Sequence, residues 1–419
     1  MGFNPFEEKG KPIDKQIRSW SELNIEPYDP ESIDPYSRTR GILMNGIEVE
    51  ASLFLHNFYR HTDDMELRRV LAMSRRAEQQ QQKMVNWSIP AAETTLEVTI
   101  GYEQLAVDLT ATMARREPDP YVKAALDYAL IEDFDHLYRY ANLMVKSDPK
   151  RAEAIVKDLT EVTPGRPTVI EHIHPFDTVR DYYDRGGADT LTKLHVATIT
   201  AAEQQTMNFY MNVGNRAADL MGRGLYQEIG MIEEQHVSHY GALADPRASW
   251  FEMMVLHEYN ECYMYYSCMV SESDDRIKAM WQRHLEDEVE HLRLAVDLMK
   301  KYEGKDAAEM YPKELPEPLV LAPNKEYVRQ IIADQLHFTG DRNKMVPMKN
   351  AENPDRFAHY QEMVNGGRYV PSQSVITDAV NMNQRDYRIE TEGEHPIEMF
   401  RSRDRVPSRE EVTQYCLSK

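Results

Sequence analysis

Six side chains in the second half of the chain have a spacing that suits metal ligands. In each of two copies, a glutamate is followed 30 residues later by a Glu-x-x-His motif, and the copies lie 55 residues apart. Residues i and i+3 share one face of a helix, so a helical hairpin with this spacing brings two carboxylates and one imidazole to one point. Two hairpins supply enough ligands for two metal ions. The six residues are Glu203, Glu233, His236, Glu258, Glu288 and His291.

The same spacing occurs 155 residues upstream, with two changes. Gln81 replaces a histidine and Asp133 replaces a glutamate, and both changes weaken a metal site, because an amide is a neutral ligand and Asp is one methylene shorter. We expect either a vestigial, hydrogen-bonded site with Arg75, Arg76 or a lysine offsetting the charge, or an altered, single-ion site at Glu48, Glu103, Asp133 and His136. The complete upstream set is Glu48, Glu78, Gln81, Glu103, Asp133 and His136.

Apolar spacing and loop signals predict two units of four helices each. Consecutive helices joined by short turns run antiparallel, so about 30 residues return the chain to the same level along the bundle. The predicted helices are 39–62, 64–87, 91–117 and 118–148 in the first unit, and about 189–215, 217–242, 248–271 and 275–302 in the second. The flanking segments are an N-terminal arm (1–38), a connector (149–188) and a C-terminal extension (303–419) with helices near 325–336 and 354–364.

Composition limits the classes of function. The 419 residues carry a net charge of −21, which argues against binding to nucleic acid or to an anionic membrane and suits the handling of cations. The chain has three cysteines, no C-x-x-C pair and no long apolar run. We therefore expect a soluble, cytoplasmic protein without a rubredoxin-type iron site or a zinc ribbon.

The second half resembles the ferritin-like di-iron carboxylate superfamily, and its rubrerythrin-type branch in particular. That superfamily combines one glutamate from each of two helices with Glu-x-x-His from the other two. The resemblance covers residues 189–302 well and 39–148 in part, and it implies an all-α fold of two tandem ferritin-like four-helix bundles. It also implies two iron ions in the second bundle, with manganese or a mixed iron and manganese pair as alternatives, since carboxylate-rich sites suit these metals better than copper or zinc.

Three functions follow as expectations from the resemblance. The first is a di-iron oxidoreductase that reacts with dioxygen or peroxide and receives electrons from an external donor. The second is a di-iron oxygenase of an organic substrate, which would need an apolar pocket opening onto the metals. The third is iron sequestration or a non-catalytic scaffold. A homodimer is a further possibility for any of them.

Other side chains near the predicted ligands have both structural and functional interpretations. Glu261 follows Glu258 on the same helix face and resembles an additional glutamate ligand of rubrerythrins, or it is an ordinary hydrogen-bonded helix residue. Tyr210 and Tyr265 are expected to face the bundle interior, as core residues or as hydrogen-bond partners of ligands. His239 and His284 are expected to be satisfied histidines outside the ligand set, and Cys262 and Cys268 to pack as small apolar residues.

Overall fold

The computed structural model describes residues 2–367 and 369–419 and confirms the all-α fold. Long helices occur at each of the eight predicted positions, with ends that differ by a few residues from those predicted. These helices are α1 Pro35–Arg60, α2 Met65–Trp87, α3 Thr95–Arg116, α4 Pro120–Ser147, α5 Thr190–Val213, α6 Leu220–Gly241, α7 Trp250–Ser271 and α8 Asp275–Glu303.

Local sequence signals set the ends of these helices. Asp34 caps α1 by accepting a hydrogen bond from the Tyr36 amide, and proline occupies the first turn. Ser249 and Glu252 form a reciprocal capping box at the start of α7. Gly304, with φ of +68°, ends α8 in the left-handed conformation. The predicted breaks between helices are confirmed. Capping residues of this kind set the helix ends.

Shorter elements complete the described chain. The C-terminal extension, predicted to be irregular apart from two helices, contains α9 Lys325–Gln335, α10 Pro354–Asn365, α11 Pro371–Asn383 and α12 Arg409–Ser418. It also contains an antiparallel hairpin, β1 Phe338–Asp341 and β2 Lys344–Pro347, in which Phe338 pairs with Pro347. Single-turn helices lie at Ile13–Lys15, Trp20–Leu23, Ala152–Val156, Thr168–Glu171, Pro175–Asp177, Gly214–Arg216, Ala307–Glu309, Met348–Asn350 and Glu398–Phe400.

The first of two compact units contains the first and last helical hairpins of the chain. It comprises residues 1–92, 182–205 and 244–320, so α1 and α2 share it with α7 and α8. Helices α1 and α7 are in contact, and Phe58 of α1 stacks on Trp250 of α7 with ring centroids 5.5 Å apart. This packing brings the middle of all four helices to one buried interior.

The second unit contains α3, α4 and α6. It comprises residues 93–181, 206–243 and 321–419, and α5 is divided between the units after Gln205. Helix α4 packs against α3 and α6, and α11 packs on both α4 and α6. A single apolar core includes Ile131, Phe134, Ile229 and Val375, so the C-terminal extension contributes to the core of this unit.

The observed units differ from the predicted domains 39–148 and 189–302. Each unit joins helices from both predicted bundles. The predicted helices are therefore correct, but the prediction of which helices pack together is wrong. The predicted connector 149–188 is divided between the units, and its side chains Arg166 and Glu171 are fully buried. The predicted arm also belongs to the first unit, where Gln16 is fully buried. The physical reason is that all four hairpins have the same ligand spacing, so spacing alone does not distinguish among partners.

Candidate metal centres

Side chains from all four long helices of the first unit converge on one buried point. Glu48 comes from α1, Glu78 and Gln81 from α2, Glu258 and Glu261 from α7, and Glu288 and His291 from α8. None is more than 2% exposed. Residues three apart share a helix face, which explains why α2, α7 and α8 each contribute a pair. We call these seven residues the first-unit cluster.

The first-unit cluster offers two adjacent ion positions that share Glu78. One ligand atom from each of Glu78, Glu258, Glu288 and His291 lies within 4.8 Å of the others, and atoms of Glu48, Glu78 and Glu261 meet the same limit. Oxygen-rich sets of this kind suit iron or manganese. A carboxylate common to both sets is positioned to bridge two ions.

The tautomer of His291 follows from its hydrogen bonds. Its Nε2 lies 2.6 Å from Oε1 of Gln16, an amide oxygen that only accepts, so Nε2 carries the proton. Nδ1 therefore faces the carboxylates, 2.6 Å from Glu78 Oε1 and 3.0 Å from Glu288 Oε2. Burial lowers the pKa of His291, but Glu78 and Glu288 outweigh it and raise the pKa well above its usual range, so Nδ1 donates to them when no cation is bound. Metal-bound histidines are usually oriented in this way by an acceptor on the other nitrogen.

Electrostatics of the first-unit cluster favour a bound cation. Burial, and then repulsion from neighbouring carboxylates, raises the pKa of Glu48, Glu258 and Glu261 well above the usual range. Both carboxylate oxygens of Glu261 lack a hydrogen-bond partner among the described residues. Five carboxylates and a single imidazole leave a negative excess in a medium that solvates charge poorly. Divalent cations would remove that excess.

A tyrosine and a histidine extend the hydrogen bonding outward from this cluster. The Tyr265 hydroxyl donates to Glu48 Oε1, and Nδ1 of His284 lies 3.2 Å from the same hydroxyl. Burial raises the pKa of Tyr265 well above its usual range, and Glu48 raises it further. The tyrosine therefore keeps its proton. On α8, Asp287 forms a buried ion pair with Arg18 of the N-terminal segment.

A second group of buried ligands lies within the second unit. Glu103 comes from α3, Asp133 and His136 from α4, and Glu233 and His236 from α6, and none is more than 1% exposed. We call these five residues the second-unit cluster. Ligand atoms of Glu103, His136 and Glu233 lie within 4.8 Å of one another, as do those of Asp133, Glu233 and His236.

Both histidines of the second-unit cluster have their Nδ1 atoms toward the ligand carboxylates. His136 Nδ1 is 3.1 Å from Glu233 Oε1, and His236 Nδ1 is 3.3 Å from Asp133 Oδ1. Their Nε2 atoms contact other carboxylates, Glu171 Oε1 at 3.0 Å and Glu132 Oε2 at 2.8 Å. The orientation matches that of His291, but the outer acceptors are carboxylates and not an amide.

Buried arginines hold these outer carboxylates. Arg166 Nη1 lies 2.7 Å from Glu132 Oε1, and Arg139 Nη1 lies 2.6 Å from Glu171 Oε2. Burial raises the pKa of Glu132, but Arg166 and His236 outweigh it and lower the value to about 2. Burial raises the pKa of Glu171 to about 7, and Arg139 only partly opposes this. Each histidine of the second-unit cluster thus contacts a buried carboxylate, which in turn pairs with a buried arginine.

The six residues predicted to form one site do not come together. Glu258, Glu288 and His291 belong to the first-unit cluster, and Glu233 and His236 to the second. Glu203 is buried in the first unit, within the part of α5 that precedes Gln205, and its role as a ligand stays a prediction. The partnership of hairpins described above is the reason for the separation.

The division into one degenerate and one intact site is also wrong. Gln81 lies in the first-unit cluster, where its amide donates to Glu288, and Asp133 lies in the second-unit cluster. Each cluster therefore has one altered residue. The guanidinium of Arg75, one of the residues expected to offset charge, lies over the Tyr59 ring, 5.2 Å from the centroid.

The contacts bear on several other expectations. His284 was expected to be satisfied, but its Nε2 is buried without a hydrogen-bond partner among the described residues, so that expectation is wrong. Glu261 joins the ligand atoms of Glu48 and Glu78. Tyr210, like Tyr265, donates to a cluster carboxylate, Glu103 in this case. Both ring nitrogens of His239 have protein partners, the Arg180 Nε donor at 2.8 Å and the Ala125 carbonyl at 3.0 Å, so it is a satisfied histidine.

The cysteines also pack as expected. Cys262, Cys268 and Cys416 are free, buried thiols. Burial raises the pKa of both Cys262 and Cys268, which disfavours the reactive thiolate. They act as small apolar residues in the interior of the protein.

The sequence contained a signal for two buried carboxylates that pair with arginines beside the clusters, and our ligand search did not use it. Glu132 and Asp287 each precede a ligand acid, and they lie 155 residues apart, at the same interval as the ligands. No comparable signal marks Gln16 and Arg166, which lie in segments outside the repeated spacing. None marks Arg139 either, which lies on α4 at a position that the spacing does not include.

Comparisons with family models, curated proteins and solved structures find no match to this chain. Among the described residues, no helix combines the length and the sustained apolar character needed to cross a bilayer. The chemistry of the two clusters is therefore the basis for a functional assignment.

Proposed function

We propose that the protein is a non-haem di-metal carboxylate oxidoreductase of the ferritin-like, rubrerythrin-type class, with iron or manganese as the metal. The observation that carries this proposal is the first-unit cluster, in which five carboxylates, one amide and one imidazole converge in the buried interior. The imidazole has its Nδ1 atom toward the carboxylates. Such a group is costly to bury without cations. The ligand spacings alone favour one centre in the second half of the chain, whereas the contacts favour a centre in each unit.

Burial of the ligands favours a small oxidant. An oxygenase of an organic substrate needs a cavity that opens onto the metals, whereas the first-unit ligands are at most 2% exposed and have polar neighbours. Dioxygen or peroxide is small enough to reach such a site through minor fluctuations of the bundle. A reduced di-metal pair held by the first-unit cluster would supply electrons for this chemistry.

The protein's own residues manage protons and orientation. Reduction of a peroxide to two waters consumes two electrons and two protons. Tyr265 holds a proton against Glu48, and His284 lies next in the hydrogen-bonded series, so these two residues would orient a proton beside the cluster. Gln16 fixes the tautomer of His291. Electrons would come from an external donor.

Metal content of single and double variants tests the proposal. Wild-type protein loaded anaerobically with Fe²⁺ is expected to hold about four ions, two per unit. His291→Ala and His236→Ala should each lose about half of the metal, and the double variant nearly all, because the residues serve separate centres. His239→Gln is the matched control, since that histidine lies on α6 with both nitrogens in protein contacts.

Two results would contradict the proposal in different ways. Full metal content in both single variants would refute the ligand assignment. If the double variant kept as much metal as either single variant, both histidines would serve one centre, as the tandem arrangement required. Consumption of peroxide by the reduced protein, lost in the double variant, is the accompanying test of the reaction.

A further inference from the structure

The second unit contains a cavity of about 130 Å³ that the metal chemistry does not use. Its lining combines α4 with the C-terminal extension. Arg139, Phe400 and Val412 are at least 95% buried, whereas the side chain of Arg409 is exposed. The cavity therefore extends from a buried arginine to the surface. Its volume is close to that of an apolar cavity of about 150 Å³ that holds benzene, so this one, which opens at the surface, suits an organic group of about that size.

The chemistry of the lining indicates an apolar ligand with an anionic group. Phe400, Ile376 and Val412 provide apolar walls. Two of the three lining arginines, Arg139 and Arg388, pair with the two lining aspartates, so Arg409 supplies the remaining positive charge of the lining. Arg139 already binds Asp135 and Glu171, yet its Nε is a buried donor without a hydrogen-bond partner among the described residues. A buried donor of this kind favours a ligand that brings an acceptor.

We propose that this cavity binds a small monocarboxylate, with its apolar part against the C-terminal extension and its carboxylate accepting hydrogen bonds from arginine. Such a site adds a small-molecule ligand to a protein whose clusters account only for metal and oxidant. Its basis is the cavity and its lining, so it stands independently of the proposed function.

A consequence of this proposal does rest on the proposed function. Arg139 Nη1 lies 2.6 Å from Glu171 Oε2, and Glu171 Oε1 lies 3.0 Å from His136 Nε2. A carboxylate that shares Arg139 therefore weakens the hold of this arginine on Glu171, and alters the hydrogen bond to a metal-ligand candidate. The cavity ligand would then tune the second-unit centre.

Calorimetric titration of metal-free protein tests the binding itself. In the series from propanoate to octanoate, affinity should rise about fourfold for each buried methylene. The rise should end near six carbons, when the cavity is full. Benzoate should bind at least about tenfold more tightly than benzamide. Absence of saturable binding throughout the series, or equal binding of benzoate and benzamide, overturns the proposal.

Two variants locate the site. Val406→Phe fills the cavity and should abolish binding, with far-UV circular dichroism as the check on folding. Arg409→Gln changes only an exposed charge at the cavity and should weaken benzoate about five- to tenfold while leaving benzamide unchanged. Arg405→Gln is the matched control, because Arg405 is exposed nearby, pairs with Glu411 and does not line the cavity. Unchanged benzoate binding by both Val406→Phe and Arg409→Gln would refute the location.

Coupling to the metal has a separate readout. In protein loaded with Co²⁺, saturating benzoate should change the visible absorption of the wild type and not that of His136→Ala. Binding without any spectral change would refute the coupling and leave the cavity site intact. Failure of the protein to bind Co²⁺ would count against the proposed function and not against the cavity site.

Discussion

Glu261→Gln is expected to stabilise the metal-free protein at neutral pH. Glu261 is fully buried, both its oxygens lack hydrogen-bond partners among the described residues, and burial and nearby carboxylates raise its pKa well above 4.5. Between pH 4.5 and this raised pKa, the folded protein binds more protons than the unfolded chain. Stability of the metal-free protein therefore falls as the pH rises through that range. Glutamine has nearly the same shape and does not ionise.

The interval from pH 4.5 to pH 7 sets an upper limit on the size of the effect. From pH 4.5 to pH 7 is 2.5 units, and each unit corresponds to 1.36 kcal/mol, so the upper limit is about 3.4 kcal/mol. We expect a measured gain between about 1 and 3 kcal/mol at pH 7, and almost none well below pH 4.5, where Glu261 is protonated in both the folded and the unfolded state.

Urea unfolding in the presence of EDTA, followed by circular dichroism at pH 5 and pH 7, measures this gain. Glu50→Gln is the matched control, because burial raises the pKa of Glu50 to about 7 but Glu50 lies outside the first-unit cluster. Both variants should be more stable than the wild type at pH 7 without metal.

Addition of metal should separate the two variants. Metal at 100 times its dissociation constant adds about 2.7 kcal/mol to the wild type and to Glu50→Gln. The gain should be smaller for Glu261→Gln, by about 1.4 kcal/mol for each tenfold loss of affinity. Equal or lower stability of metal-free Glu261→Gln at pH 7, or an undiminished gain with metal, would refute our account of the cluster.

Three further predictions concern the surroundings of the clusters. Gln16→Ala removes the acceptor of the first-unit imidazole and should lower metal affinity about 10- to 100-fold in a metal titration, without loss of helix content. Phe58→Ala opens a cavity between α1 and α7 and should lower the free energy of unfolding in urea by about 3–5 kcal/mol. Leu53, also on α1, is 41% exposed, so Leu53→Ala should lower it far less. Arg166→Met leaves Glu132 buried without its cation and should cost about 3–5 kcal/mol at pH 7. Because the pKa of Glu132 is lowered to about 2, the stabilisation by this pair is present above pH 4.5, so the difference between wild type and variant should shrink as the pH falls from 4.5 toward 2.

The hairpins could be predicted from the sequence because their signals are local. Helical spacing, capping residues such as Ser249 and the break at Gly304 act within a few residues. The Glu-x-x-His spacing in turn places Glu288 and His291 on one face of α8. These relations hold whatever the rest of the chain does.

The partners of each hairpin could not be predicted by the same reasoning. Four hairpins with equal spacing can pair in three ways, and every pairing brings ligand residues to the same level. What distinguishes them is side-chain packing over long sequence separations, such as Phe58 on Trp250. The outer acceptor Gln16 was missed for a related reason, since it comes from a segment without periodic signal and meets His291 only in the folded chain.

The observed partnership changes the meaning of the substitution at Gln81. In the tandem arrangement, Gln81 was a loss in the first bundle and Glu261 an addition in the second. In the structure both belong to the first-unit cluster, and Glu261 completes the ion position formed with Glu48 and Glu78. The position equivalent to Glu261 in the other repeat, 155 residues earlier, is Ala106. The second-unit cluster therefore has no counterpart of Glu261, but it has both of its histidines. A missing imidazole and an added carboxylate thus occur in the same centre, which is the pattern of an altered ligand set and not of a decaying one.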